Sequence, residues 1–141
     1  MASDRTRRTV AKIAVSRPSP RVLELRSDGY VTRFDLVAAL GEAEQLLTEH
    51  PDIDAMLWNT LHHDGHEPGN TNLGVAFHRQ HTGRFQRAVI LTHSAPMAAL
   101  SNVARALLPS LTVAVFAQRE DAIAWLTRGH SQHGGRRTRA A

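Results

Sequence analysis

Residues 62–67 read His62-His63-Asp64-Gly65-His66-Glu67, five potential metal ligands within six positions. Imidazole and carboxylate suit Zn²⁺, Ni²⁺ or Cu²⁺, and Gly65 would let the backbone fold back so that separated side chains converge. The candidate metal set is His62, His63, Asp64 and His66. His78 and His81, three apart, would share one helix face and could complete it. Against a metal, adjacent ligands such as His62 and His63 rarely reach one ion together. Structural zinc sites draw on two rigid elements, and no H-E-x-x-H spacing is present. A solvated, histidine-rich loop is the plainer expectation.

A second group, Thr92-His93-Ser94, ends a stretch that reads as a strand, the place where ligand sites form in α/β sheets. Histidine beside a carboxylate is the usual base pair, and Thr92, Ser94 and Ser101 could serve as nucleophiles. The supporting frames are missing, however: there is no G-x-S-x-G elbow, G-x-G-x-x-G or G-x-x-x-x-G-K-[ST]. The simpler role for Ser94 is to cap a helix that has Pro96 in its first turn. No enzyme and no cofactor is therefore expected.

The elements that must position these groups come from a chain of 141 residues, 42% hydrophobic and without cysteine, which excludes disulfides and thiolate metal sites. No apolar run approaches the roughly 20 residues of a membrane helix, and the expected location is the cytoplasm. Of the +4 net charge, Arg5, Arg7, Arg8, Arg136, Arg137 and Arg139 lie near the two ends. Between Val10 and His130 there are eleven basic and twelve acidic residues, a net of −1. A nucleic-acid-binding domain needs a basic face on the fold itself, so nucleic acid is an unlikely partner. Residues 1–8 and 129–141 are expected to be disordered tails around one domain over 9–128.

Strands are expected at Val10–Val15 and Val22–Leu25, paired as an antiparallel hairpin about Arg17-Pro18-Ser19-Pro20, with Asp28-Gly29 as a turn. Thr32 and Asp35 form a T-x-x-D capping box. Leu36, Leu40, Ala43 and Leu47, with Val37 beside them, make the stripe of the helix that follows. That helix stops at His50-Pro51. Gly41 in its middle suggests close packing on the sheet. Ile53–Asn59 reads as a central strand, Thr60–Asn72 as a long polar loop and Leu73–His81 as a weak helix. After them come strand Arg87–Thr92, helix Pro96–Leu108, strand Leu111–Ala117 and helix Arg119–Arg128. In the third helix Met97, Leu100, Val103, Ala104 and Leu107 are expected to face inward. Trp125 is expected in the core, and Trp58 in the core or lining a pocket. The fold class is α/β: a mixed sheet of four to five strands with an N-terminal hairpin, under three to four helices.

Three segments carry a family resemblance. They are Gly29-Tyr30-Val31-Thr32 before an amphipathic helix, strand Arg87–Thr92 leading into a helix with Met97, and Val113-Ala114-Val115-Phe116 followed by Glu120–Leu126. In this order, from Val22 to Leu126, the chain resembles small bacterial STAS-like proteins. These are relatives of anti-sigma-factor antagonists, in one superfamily with lipid-binding CRAL-TRIO domains. The resemblance implies a non-enzymatic fold that works through protein partners or holds a small ligand. The antagonists carry a phosphorylatable Ser in an Asp-Ser turn after a central strand. Here the matching region is Asn59-Thr60-Leu61, with a hydroxyl at Thr60 but no Asp.

The leading expectation is thus a regulatory module acting by protein contact, through Asn59, Thr60, His62, His63, Thr92 and Ser94. The alternatives are a carrier of a small apolar ligand, with a pocket near Leu73–Phe77, and metal binding by the histidine run. An exposed edge strand in the first hairpin would also permit a homodimer.

Overall fold

The computed structural model describes residues 12–131. Strands β1 (Ile13–Ser19) and β2 (Val22–Val31) form the antiparallel hairpin. They are followed by helix α1 (Arg33–Glu49), strand β3 (Ala55–His66), helix α2 (Asn70–Gln80) and strand β4 (Arg87–Leu91). Helix α3 (Ala95–Leu107), strand β5 (Thr112–Phe116) and helix α4 (Arg119–Ser131) complete the chain. The five strands lie in the order β1-β2-β3-β4-β5, and all pairings after the hairpin are parallel. The α/β architecture of a mixed five-stranded sheet under four helices agrees with the sequence reading.

The capping box is present as expected: Asp35 N–H donates to Thr32 Oγ1, and Thr32 N–H donates to Asp35 Oδ2. The α1 stripe is Leu36, Ala39, Ala43 and Leu47. Leu40 packs against the core only in part, and Val37 is exposed. Gly41 is exposed, and no atom lies within 4 Å of where a Cβ would sit, so close packing does not account for it.

Three other expectations need correction. The first strand lies at Ile13–Ser19, and the register slips between Ser16 and Ser19, where the Pro18 region cannot supply a regular ladder. Asp28-Gly29 does not turn the chain, because β2 runs on to Val31. The histidine run is not a loop, because β3 continues to His66 against that extension of β2. Asp28 pairs with His62, Gly29 with His63, Tyr30 with Gly65 and Val31 with His66. Gly29 (φ 69°) and Gly65 (φ 139°) sit at the second of two register slips, with backbone angles that side chains disfavour.

The two faces of the sheet are covered differently. On one, Ala122 and Leu126 of α4 close over Val22, Ala55, Leu57, Val89 and Leu91, all with no exposure. On the other, α1, α2 and α3 cover a larger cluster that includes Leu25, Met56, Phe77, Ile90 and Val113. The expected tail over residues 1–8 lies outside the described residues. At the other end α4 extends to Ser131, beyond the expected limit of Arg128, and residues 132–141 lie outside the description.

Candidate functional site

Under the three-helix face lies a cavity of about 150 Å³. Its floor is sheet: Leu25, Trp58, Ala88, Ile90 and Val113. Val31 and Leu36 bound it on one side and Gly74 and Val75 of α2 on another. Met97, Leu100, Val103 and Ala104 of α3 form the remaining wall. These α3 residues are the stripe read from the sequence; Leu100 and Ala104 pack against the core only in part, and the stripe as a whole does not fill the space above the sheet. Ser101 is the only buried residue of that helix, and Val103 and Leu107 stay exposed. The expectation of a fully inward-facing stripe is corrected accordingly: an amphipathic face specifies which side meets the sheet, not whether the gap is filled.

The polar groups of the wall gather toward the ends of β2 and β3 and the start of α2. Ser27 Oγ lies 3.3 Å from His63 Nδ1 and donates a long bond of 3.5 Å to the Asn59 carbonyl. His63 Nε2 and His66 Nδ1 share a hydrogen bond of 2.9 Å. Burial first, then the neighbouring His66, lowers the His63 pKa, with Asp64 opposing. Asn70 donates through Nδ2 to the Val31 carbonyl, while its Oδ1 is buried without a partner. The Val31 bond fixes which end of the amide is oxygen.

Farther along α2, His78 Nε2 accepts from Trp58 Nε1–H at 3.0 Å. An indole can only donate, so the imidazole proton is on Nδ1, and that N–H is buried without a partner. Burial first, then His81, pushes the His78 pKa down to about 4. His78 also borders a second void of about 20 Å³, room for one water.

The sequence-derived candidates separate in this frame. Strand alternation points His62 and Asp64 to solvent, whereas His63 and His66 line the cavity. The four expected metal ligands therefore do not converge, and no cluster of three His, Asp or Glu able to hold an ion occurs among the described residues. His81 is not added to them either: its Nε2 pairs with Glu44 at 3.0 Å.

Of the expected contact residues, Asn59 is buried, donating to Glu24 Oε2 and accepting from Leu61 N–H. Thr60 is buried and donates to the Leu91 carbonyl. Thr92 is buried and accepts from Ser94 N–H. The hydrogen-bond needs of a parallel sheet and its turns occupy these side chains, and Thr60 also lines the cavity. Ser94 caps α3 by accepting from Met97 N–H, as expected. Trp58 takes the pocket-lining alternative, and Trp125 packs on Phe116 with the Arg87 guanidinium 4.4 Å above its ring centre. Ser27, Asn70 and Thr71 line the cavity without having been singled out. Their only signal in the sequence is position, at strand ends and a helix start, and common polar residues there resemble ordinary turn residues.

A parallel sheet entered by an antiparallel hairpin, with helices on both faces, defines an α/β domain of the STAS-like class. A family model described as SpoIIAA-like matches residues 22–127, and the chain belongs to that family. No curated protein matches it in sequence. Solved structures with the same fold include an uncharacterised Shewanella loihica PV-4 protein with a SpoIIAA-like fold. It has 21% identity and a TM-score of 0.64, over 81% of this chain and 91% of that one. Another is the Bacillus cell fate determinant SpoIIAA in its phosphorylated form (14%, TM-score 0.59, 79% and 96% covered). A third is the anti-sigma factor antagonist SpoIIAA, unphosphorylated (14%, TM-score 0.60, 83% and 96% covered). Among the described residues no helix is long and apolar enough to cross a membrane.

Proposed function

We propose that this chain is a non-catalytic regulatory module that holds one small apolar molecule between α2, α3 and the sheet. The observation that carries this reading is the cavity of about 150 Å³ beneath a helix whose apolar stripe was available to fill it. At about 24 cal/mol per Å³, a void of this size forgoes up to about 4 kcal/mol of packing, part of which a bound molecule recovers. A largely apolar cavity of such volume admits a benzene-sized guest. The test is a melting curve with toluene. A saturable rise in Tm is expected, and Ala104→Leu, which builds into the cavity, should fold and lose that rise. No rise in the wild type, or equal rises in both proteins, would overturn the reading.

A specific observation also favours a protein partner. Phe34 is 82% exposed at the start of α1, with Tyr30 and Val37 exposed close by in sequence. Val31 and Leu36, from the same stretch, line the cavity. SpoIIAA itself is an anti-sigma factor antagonist. A partner seated on Phe34 would sense whether the cavity is occupied. Phe34→Ser should then abolish partner binding and leave the toluene effect intact.

A further inference from the structure

The ionisable residues of the cavity wall are all histidines: His63, His66 and His78, with no carboxylate and no Lys or Arg. Two of them form one hydrogen-bonded pair at the strand ends. Beside the pair begins α2, whose N-cap is Gly69, with no side-chain cap and no acidic residue in the first turn. Such a helix start favours negative charge and hydrogen-bond acceptors. Asn70, the first residue of that helix and 6% exposed, adds an acceptor, Oδ1, that is buried and unmatched. A group that satisfies this end must both accept hydrogen bonds and offer a proton, and it must hang on an apolar body.

Resting on the reading of the cavity as a ligand site, we infer that the guest is a small carboxylic acid taken up with one proton. Its carboxyl lodges among His66, Asn70 and the first turn of α2, and its body lies against α3. The proton accounting is direct. Such an acid is ionised in neutral water, since a carboxyl titrates near pH 4. The imidazole pair lies against an apolar wall, where burial first and then the neighbouring His66 lower the His63 pKa, and the unmatched Asn70 Oδ1 beside it calls for a donor that an ionised carboxylate lacks. The complex therefore holds one proton more than the separated partners, either on the carboxyl facing Asn70 Oδ1 or on the imidazole pair.

Of the surrounding charges only Asp64 acts on the pair, raising the His63 pKa against the stronger effects of burial and His66. Asp64 shares β3 but lies on the solvent side, and Asp28 of β2 is exposed in register with the exposed His62. Glu67 accepts from Arg33 N–H at 2.7 Å, and Lys12 donates to the Tyr30 carbonyl. None of the four lines the cavity.

The test compares benzoate with toluene by calorimetry on the full chain. Benzoate affinity is expected to fall about tenfold per pH unit between about pH 7 and pH 8.5, the slope of one proton taken up, while toluene affinity stays constant. His66→Ala should weaken benzoate at least tenfold more than it weakens toluene, because His66 lines the cavity for both probes but meets only the carboxyl by hydrogen bonding, a selectivity that a merely loosened fold would not give. Toluene binding without benzoate binding, or benzoate binding independent of pH, overturns the carboxylic acid and spares the cavity. Failure of both probes overturns the two together.

Discussion

The two faces of one sheet have been given opposite treatments. Beneath α4, Val22, Leu57, Val89 and Leu91 of the strands are fully covered, Leu61 and Phe116 are partly so, and the buried Glu24 and Asn59 are matched. Glu24, buried at 2% exposure, accepts from Arg119 at 2.6 Å and from Asn59 at 2.9 Å. Beneath α2 and α3 the same strands floor a void, and the two buried polar side-chain atoms without a partner among the described residues, Asn70 Oδ1 and His78 Nδ1, belong to residues lining it. Close packing is the default of protein interiors. The filled face shows that this chain achieves it, so the open face reads as a place held for something else.

The largest effect should separate the faces directly. Leu57→Ala, on the filled side, should cost about 3–5 kcal/mol in denaturant unfolding, whereas Leu100→Ala, which already faces the void, should cost about 1 kcal/mol. Equal costs would erase the distinction.

Acid should act through the open face. His78 has a native pKa of about 4 against about 6.5 unfolded, so the unfolded chain binds the proton first. Stability should fall as pH drops from about 6.5 toward about 4, by up to about 3 kcal/mol. His78→Phe should flatten that stretch of the pH profile.

Arg119→Ala leaves Glu24 buried with Asn59 as its donor and should cost about 2 kcal/mol, a loss confined to the filled side and without effect on toluene binding. Smallest is Gly41→Ala on exposed α1, which should stabilise the protein by about 1 kcal/mol, touching neither face.

Much of this architecture was legible from residue patterns. The Thr32–Asp35 box, the apolar strand after Pro109 and the stripe of α1 each obey local rules. The extension of β3 was hidden because His62 to His66 carry none of the usual strand residues. What makes them a strand is pairing with Asp28–Val31, a long-range fact, and two glycines that absorb the second slip. The cavity was hidden for another reason. Met97, Leu100, Val103 and Ala104 read identically whether the gap before them is filled or empty, since periodicity encodes direction and not distance. The histidine run looked like a metal site because spacing alone ignores the alternation that sends neighbours to opposite faces.

The central claim is that this cavity accepts a guest, and methyl-resolved NMR during a toluene titration tests it most directly. The account predicts saturable shifts concentrated on Leu25, Ile90, Leu100, Val103 and Val113, with Leu57 and Leu126 unmoved. Shifts spread over both faces, or none at all, would contradict it.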